Sequence, residues 1–337
     1  MKKGFTLVEL LAVLTLLAFV AIIATPIMEE ILDNSSKKTK DAQVKEIIEA
    51  AKKYVIKYDS EINYDEDNEA LLMLSDIKKS EFLNNEAIIN AETNEEFNGC
   101  VYIKYNENTG KTSYAYFYSC ETLNDTSGCF DFSNNTIYGF DNENLSCQKE
   151  VFTLPTFING EKVRNVEAND DTSTAYFIHT GNIDFTKALF LENIGNNAFN
   201  VWTGDYVYFK NLDLSNNSLL TEIGDSAFCN NSLRIDNVIL PDNLKIIKVS
   251  AFRNLKMKKL ILPGKLERIS KYAFKENNLE KIEIPSSVNY LDEEAFANNK
   301  LISVTINGKS SNSDFSFYSN PFPENNGFNE NKIIWKK

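Results

Sequence analysis

An almost uninterrupted apolar segment extends from Phe5 to Met28 and contains one charged residue, Glu9. A helix over these 24 residues would be about 36 Å long, and the hydrocarbon core of a bilayer is about 30 Å thick. Lys2 and Lys3 precede the segment, and positive charge holds that end of a spanning helix on the cytoplasmic side. The pattern therefore predicts a membrane-crossing helix over residues 5–28.

Two residues interrupt this apolar pattern. A carboxylate in lipid is costly unless it is paired, so we expect Glu9 to meet a cation such as the terminal ammonium of a neighbouring helix. The alternative is a simple anchor in which Glu9 is tolerated near the interface. Pro26 cannot donate to the helix ladder, which predicts a kink there or the point where the helix leaves the membrane.

The next 120 residues or so change from a helical to an alternating pattern. Apolar positions recur with a helical period from Glu29 to about Tyr58, which predicts an amphipathic helix packed on a sheet. We expect a short helix at Glu69–Leu74. The stretches Val101–Tyr105 and Tyr114–Tyr118 alternate aromatic and polar residues and predict a hairpin in a sheet of three or four strands.

The second half of the chain repeats a nine-residue pattern that ends in Ala-Phe. The phenylalanines stand at positions 199, 228, 252, 274 and 296, with spacings of 29, 24, 22 and 22 residues. Alternating apolar stretches follow and end at Pro241, Pro263 and Pro285. This periodicity predicts a solenoid in which each stretch is a short parallel strand and each ring is buried against the rings of the adjacent coils.

The repeat predicts the limits of this solenoid. It covers residues 151–309, with insertions expected within 168–188 and at 201–209. The tail, residues 310–337, leaves the period, and we expect it to cap the last coil through the aromatic residues Phe315, Phe317, Phe322 and Trp335.

The N-terminal motif Lys-Lys-Gly, followed by Phe-Thr-Leu-Val-Glu-Leu, resembles that of type IV prepilins and pseudopilins. The resemblance implies that residues 1–4 are a leader, which prepilin peptidase removes between Gly4 and Phe5, and that Phe5 is then N-methylated. It also implies that Glu9 and Pro26 act in assembly with other pilin subunits, and that residues 29–150 form a pilin-like stalk and head.

The Ala-Phe repeats resemble the leucine-rich repeats of bacterial surface proteins, and residues 153–163 look like the opening coil of such a domain. Together the two resemblances imply an α+β fold, in which a long N-terminal helix with a small antiparallel sheet precedes a leucine-rich repeat solenoid with a short-stranded parallel sheet. A repeat domain of this kind implies binding of a surface protein or a glycan.

Charge divides the chain into three parts. Residues 1–58 hold 9 basic and 7 acidic side chains, residues 59–150 hold 5 and 19, and residues 151–337 hold 21 and 22. We therefore expect two different surfaces that meet near residue 150.

Four of the five cysteines lie in the acidic part. Cys100, Cys120, Cys129 and Cys147 predict a disulfide framework, for which three connectivities are possible. We favour Cys100–Cys120, which brackets the predicted hairpin, and Cys129–Cys147; the alternative is that all are free thiols. The spacings of a zinc site are absent, so we predict no metal. Cys229 is expected to be a buried hydrophobic residue.

Ten basic residues and one acid, Glu267, lie between Lys245 and Lys275. Such a cluster can bind an acidic glycan, a teichoic-acid-like polymer or a DNA backbone. Aromatic residues that would stack bases are not interleaved with it, which disfavours specific single-strand binding. Alternatively it is a solubilising face, or it docks the acidic segment 59–150. The candidate binding residues are Lys248, Arg253, Lys256, Lys258, Lys259, Arg268, Lys271 and Lys275.

The chain offers little for catalysis. Its single histidine, His179, excludes histidine triads and multi-histidine metal sites, and no phosphate-binding glycine loop is present. We expect a protein that is not an enzyme and needs no cofactor.

These observations favour a minor type IV pilin or pseudopilin, held in the membrane before assembly and then displayed on the cell surface or pilus. Its repeat domain would serve adhesion or bind a protein or glycan. One alternative is a pseudopilin of a DNA-uptake or type II-like secretion machine, in which the basic cluster of this chain binds the cargo. The other is a membrane-anchored repeat protein that does not polymerise.

Overall fold

The computed structural model describes residues 39–83, 89–90, 95–140, 151–168, 182–200, 211–229, 235, 237–311, 320–323, 325 and 332–336. It divides into two compact units, Met1–Tyr116 and Phe117–Lys337. The predicted membrane helix over 5–28 lies outside the described residues. Among the helices that are described, none has the length and apolar character needed to cross a bilayer.

The first unit packs a helix on a small sheet. Helix α1 covers residues 39–58 and ends in a 3-10 turn, Asp59–Glu61. Its predicted stripe is buried at Ile47, Ala51 and Val55. The remaining elements are β1 (Glu69–Met73), α2 (Leu74–Lys79), β2 (Cys100–Asn106) and β3 (Lys111–Phe117), and the strands form a sheet of order β1-β2-β3.

The prediction of a short helix at Glu69–Leu74 is wrong. Residues Glu69–Met73 form strand β1, and helix α2 begins at Leu74. Antiparallel pairing of β1 with β2 places Glu69 opposite Lys104. The buried Glu69 carboxylate lies 3.0 Å from the Lys104 ammonium. A short apolar run is ambiguous between helix and strand, and here a distant partner strand decides the outcome.

The second unit consists almost entirely of short strands. They are β4 (Asn124–Asp125), β5 (Phe130–Ser133), β6 (Thr136–Phe140), β7 (Val151–Thr153), β8 (Phe157–Ile158), β9 (Glu161–Lys162), β10 (Asn165–Val166), β11 (Asn182–Asp184), β12 (Asn193–Ile194), β13 (Leu212–Asp213), β14 (Glu222–Ile223), β15 (Asn237–Ile239), β16 (Ile246–Ile247), β17 (Lys259–Leu260), β18 (Arg268–Ile269), β19 (Lys281–Ile284), β20 (Tyr290–Leu291), β21 (Ser303–Asn307) and β22 (Ile333–Lys336).

These strands form several sheets rather than the one that the sequence predicted. The longest has the order β20-β18-β16-β14-β12-β10-β6-β5 and is parallel except for the β5–β6 hairpin. The strands that precede the repeat prolines lie in the groups β13-β15-β17 and β19-β21-β22, which are also parallel. Each coil from β13 to β20 thus contributes one strand to the longest sheet and one to the other groups. The predicted α+β class and parallel solenoid strands are confirmed.

The repeat phenylalanines stack as predicted. The ring centroids of successive repeat phenylalanines are 5.2 to 5.5 Å apart, with interplanar angles of 2° to 13°. The rings are those of Phe199, Phe228, Phe252, Phe274 and Phe296. All five are fully buried. The stack extends into the tail, because Phe322 follows Phe296 at 5.7 Å, and β22 adds a strand to β21.

A ladder of buried asparagines runs beside the stacked rings. Asn299 donates through Nδ2 to the carbonyl oxygens of Phe274 and Phe296, at 2.9 and 3.0 Å, and accepts at Oδ1 from the Leu279 amide. Asn277 and Asn325 repeat these bonds to the phenylalanine carbonyls one coil before and one coil after. Each amide therefore satisfies backbone groups of two coils that no water can reach.

The seam between the two units differs from the expected one near residue 150. Strands β4, β5 and β6, which the sequence assigned to the head, belong to the second unit. β4 pairs with β8, and β6 pairs in parallel with β10 of the longest sheet. The segment is acidic like the head, but its alternating residues are used to extend the solenoid sheet.

Candidate functional site

The basic cluster lies on the surface of the coils that span residues 244–275. Arg268 is in β18, Lys248 directly follows β16, and Lys271 and Lys275 flank the Ala-Phe corner. Lys256 and Lys258 lie in the connection that enters β17. The structure thus distributes the candidates over the longest sheet, the Ala-Phe corner and the connection that enters β17, rather than gathering them in one patch.

Five of the eight candidates form ion pairs with carboxylates of an adjacent coil. The nitrogen–oxygen distances lie between 2.5 and 2.8 Å. The pairs are Lys248–Glu222, Arg253–Glu276, Arg268–Asp292, Lys271–Glu293 and Lys275–Glu294. These five cations are therefore neutralised locally and tie one coil to the next.

Electrostatic stabilisation accompanies the pairing. The hydrogen bonds from Arg253 to Glu276, at 2.8 and 3.2 Å, raise the pKa of the guanidinium above its usual value. A hydrogen bond to Glu293 likewise raises the pKa of the Lys271 ammonium. Both cations stay charged across the physiological range, so their ion pairs hold at any pH at which the carboxylates are ionised.

Aromatic rings also contact the cations of these ion pairs. The ammonium nitrogens of Lys271 and Lys275 lie 4.8 and 4.6 Å from the ring centroid of Tyr272. The Arg268 guanidinium lies 5.4 Å from the centroid of Tyr290. Cation–π contacts of this length add to the pairing and further commit these cations to the fold.

Three candidates remain without such a contact. Lys256, Lys258 and Lys259 are exposed, and within the described part of the chain no carboxylate lies at ion-pair distance from them. Lys259 opens β17, and the exposed Ile261 stands two residues further on the same outward side. This is the part of the cluster whose charge is available to a ligand.

The acidic partners are not apparent from the local sequence. Along the chain, Glu267 is the one acid between Lys245 and Lys275. Glu276, Asp292, Glu293 and Glu294 become neighbours because the coils stack. The signal was present, since these acids follow their cations by 19 to 24 residues, about one repeat.

We expect Arg253→Glu to lower the free energy of unfolding by about 1 kcal/mol, because it removes a bidentate pair and places a second carboxylate beside that of Glu276. The exchanged variant Arg253→Glu/Glu276→Arg should regain most of this loss. Urea denaturation of the full-length protein in detergent, arranged as a double-mutant cycle, measures the coupling. Strictly additive losses would contradict a pairing role for Arg253.

A group of three carboxylates in the first unit has a structural explanation. Oxygens of Asp65, Asp67 and Glu69 lie within 4.8 Å of one another. Asp65 Oδ1 accepts from the amides of Asp67 and Glu69 at 3.0 and 3.1 Å, and Glu69 is paired with Lys104. These bonds fasten the turn that leads into β1, and we assign no metal to it.

The cysteines divide as follows. Cys100, Cys120 and Cys129 are disulfide-bonded, and Cys229 is a buried thiol. Cys147 lies outside the described residues, so the connectivity Cys100–Cys120 and Cys129–Cys147 stays a prediction.

Several other predicted residues also lie outside the described part of the chain. They are Gly4, Phe5, Glu9, Pro26, His179, Phe315 and Phe317.

Comparison with known proteins confirms the two motifs. Residues 1–25 match the family model described as the prokaryotic N-terminal methylation motif, and residues 192–325 match six copies of the BspA type leucine rich repeat region. No curated protein matches the chain. Among solved structures, the crystal structure of pneumococcal vaccine antigen PcpA is similar at 19% identity and a TM-score of 0.28, over 60% of this chain and 49% of that one. This chain spans about half the length of that antigen, and so weak a likeness carries no functional information.

Proposed function

We propose that this chain, which carries a prokaryotic N-terminal methylation motif and a BspA type leucine-rich repeat region, is a minor type IV pilin or pseudopilin with a binding domain. The observation that carries the proposal is the presence of both motifs in one chain, since the first directs assembly and the second provides a binding surface. The protein acts by assembly and recognition rather than by catalysis.

Assembly would proceed through the N-terminal helix. Prepilin peptidase cuts between Gly4 and Phe5, Phe5 is N-methylated, and the helix stays in the membrane until it joins other pilin subunits. Glu9 then meets the terminal ammonium of a neighbouring helix, which compensates the cost of a carboxylate in an apolar bundle. Pro26 supplies the bend with which such helices pack.

The repeat unit would be displayed on the cell surface or pilus, where it binds a surface protein or a glycan. Its size supports a low-abundance or tip position, because residues 151–337 on every subunit would crowd a thin fibre. The DNA-uptake alternative has less support than the sequence suggested. Five of the eight candidate cations are occupied by carboxylates.

The test is intact mass and N-terminal analysis of the protein in the sheared surface fraction of its native host. We expect a mature chain that begins at N-methylated Phe5. We also expect Glu9→Ala to remove the protein from that fraction while the membranes still contain it. Glu30→Ala, which removes a carboxylate beyond the apolar segment, is the matched control and should assemble normally.

An uncut chain that begins at Met1 and is found solely in membranes would contradict the pilin proposal. It would leave the membrane-anchored repeat protein that does not polymerise.

A further inference from the structure

We infer that the outward face of β15 and β17 docks a short acidic, aliphatic segment of another protein. The inference deepens the proposed function, on which it rests, by naming the class of partner that the repeat unit binds. It depends on two properties that coincide on this face, unpaired positive charge and adjacent exposed isoleucines.

The positive charge is specific to one edge of the face. Lys256, Lys258 and Lys259 enter β17, and none of them meets a carboxylate within the described residues. By contrast, four other candidate cations of these coils are held by Glu276, Asp292, Glu293 and Glu294. A stacking role accounts for the paired cations, and it leaves the three lysines unexplained.

The apolar component lies beside them. The strands pair so that Val238 is opposite Leu260, which makes Ile239 and Ile261 neighbours on the outward side, about 4.8 Å apart across the ladder. They are 49% and 61% exposed, whereas the alternate residues Val238 and Leu260 are buried in the core. Two adjacent exposed isoleucines on a regular sheet form a small apolar surface, unlike single exposed apolar side chains.

The neighbouring strands limit the face to these two. The corresponding outward residue is Asp213 on β13 and Glu283 on β19, and both carboxylates are already engaged. Asp213 accepts from the Ser215 amide at 2.9 Å, and Glu283 accepts from Asn307 at 2.6 Å. The surface therefore fits a short segment and does not extend along the solenoid.

This chemistry favours a polypeptide over a uniform polyanion. Three lysines on duplex DNA would give a salt dependence with a slope of only about −2.7, far below that of a protein making six to ten phosphate contacts. A polyanion would also cover Ile239 and Ile261 without using them. A segment that places carboxylates on the lysines and an aliphatic side chain on the isoleucines uses both parts of the face.

The test is selection of a random peptide library displayed on phage against the full-length protein in detergent. An enriched peptide is then measured by fluorescence anisotropy. We expect enriched peptides to combine acidic and aliphatic residues. The triple variant Lys256→Glu/Lys258→Glu/Lys259→Glu should weaken binding by at least about tenfold, and Ile239→Thr/Ile261→Thr should weaken it by a similar factor.

A matched control is the triple variant Lys45→Glu/Lys53→Glu/Lys111→Glu, which makes the same change in net charge at exposed lysines of the first unit. It should bind the peptide like the parent protein. Thermal unfolding of every variant shows whether the fold is intact.

Three outcomes would overturn the inference. The first is no enrichment, and the second is enrichment of peptides without acids. The third is binding of polyglutamate or of a short DNA duplex that equals peptide binding and ignores the isoleucine substitutions, which would make the face a polyanion site. None of these bears on assembly, because a chain cut before Phe5 in the sheared fraction would still establish the pilin.

Discussion

Replacing Phe274 by alanine is expected to lower the free energy of unfolding of the repeat unit by about 3 to 5 kcal/mol. The ring is fully buried and lies between Phe252 and Phe296, with centroid distances of 5.5 and 5.2 Å. Its removal would leave a cavity in the middle of the stack and would break the contact between two coils that cannot bury their apolar faces alone.

Urea denaturation of the full-length protein in detergent measures this loss. Intrinsic fluorescence can report it, since Trp335 in β22 packs against the core. Phe274→Leu retains most of the volume and should lose distinctly less. Ile56→Ala, at a side chain that is 83% exposed in the first unit, should stay within about 0.5 kcal/mol of the parent. A loss for Phe274→Ala below about 1 kcal/mol would show that the ring stack does not hold the coils together.

Asn299→Ala should be comparably damaging, with a loss of about 3 kcal/mol or more. Asn299 is buried, and its amide satisfies the carbonyls of Phe274 and Phe296 as well as the Leu279 amide. Alanine would leave the Leu279 amide without this acceptor in a site closed to water. It would also take one of two asparagine donors from each of the two carbonyls, to which Asn277 and Asn325 donate as well. The same denaturation experiment measures the effect.

The adjacent Asn298 provides the control. Its backbone is left-handed, with φ of 54°, and glycine adopts this conformation without strain, so Asn298→Gly should be nearly neutral. Asn299→Asp retains an acceptor for the Leu279 amide but loses both donors, and we expect it to be destabilising too. Equal stability of Asn299→Ala and Asn298→Gly would refute the role of the asparagine ladder.

The solenoid could be predicted because its information repeats. The spacing of the phenylalanines and the prolines that close the alternating stretches are visible in the sequence, and both the ring stack and the parallel strands follow from them. The asparagines at the +3 position after the rings were also visible, but their role depends on carbonyls of the coil before, which no local pattern reveals.

The head was predicted less well, because its elements depend on pairing between distant residues. Glu69–Met73 is a strand since β2 lies beside it, some thirty residues further along the chain. Strand β6 extends the longest sheet since β10 offers a parallel edge. Composition could not reveal this, as the acidic character of residues 117–150 matches that of the head and conceals the seam.

The candidate site was predicted as a cluster and is divided by the structure. Counting along the chain located all eight cations, whereas stacking of the coils determines which ones meet a carboxylate. The pairing of Lys271 with Glu293 and the exposure of Lys258 are properties of the three-dimensional neighbourhood alone.

The ion pairs between coils also bear on how the chain avoids misfolding. The stacked rings recur in successive coils, so a slip by one repeat, or an exchange of coils between two molecules, would preserve the ring stack. Such a slip would instead separate Lys271 and Lys275 from Glu293 and Glu294, with which they pair across adjacent coils. The pairing of each cation with a carboxylate of one particular neighbouring coil thus gives otherwise similar units a fixed order.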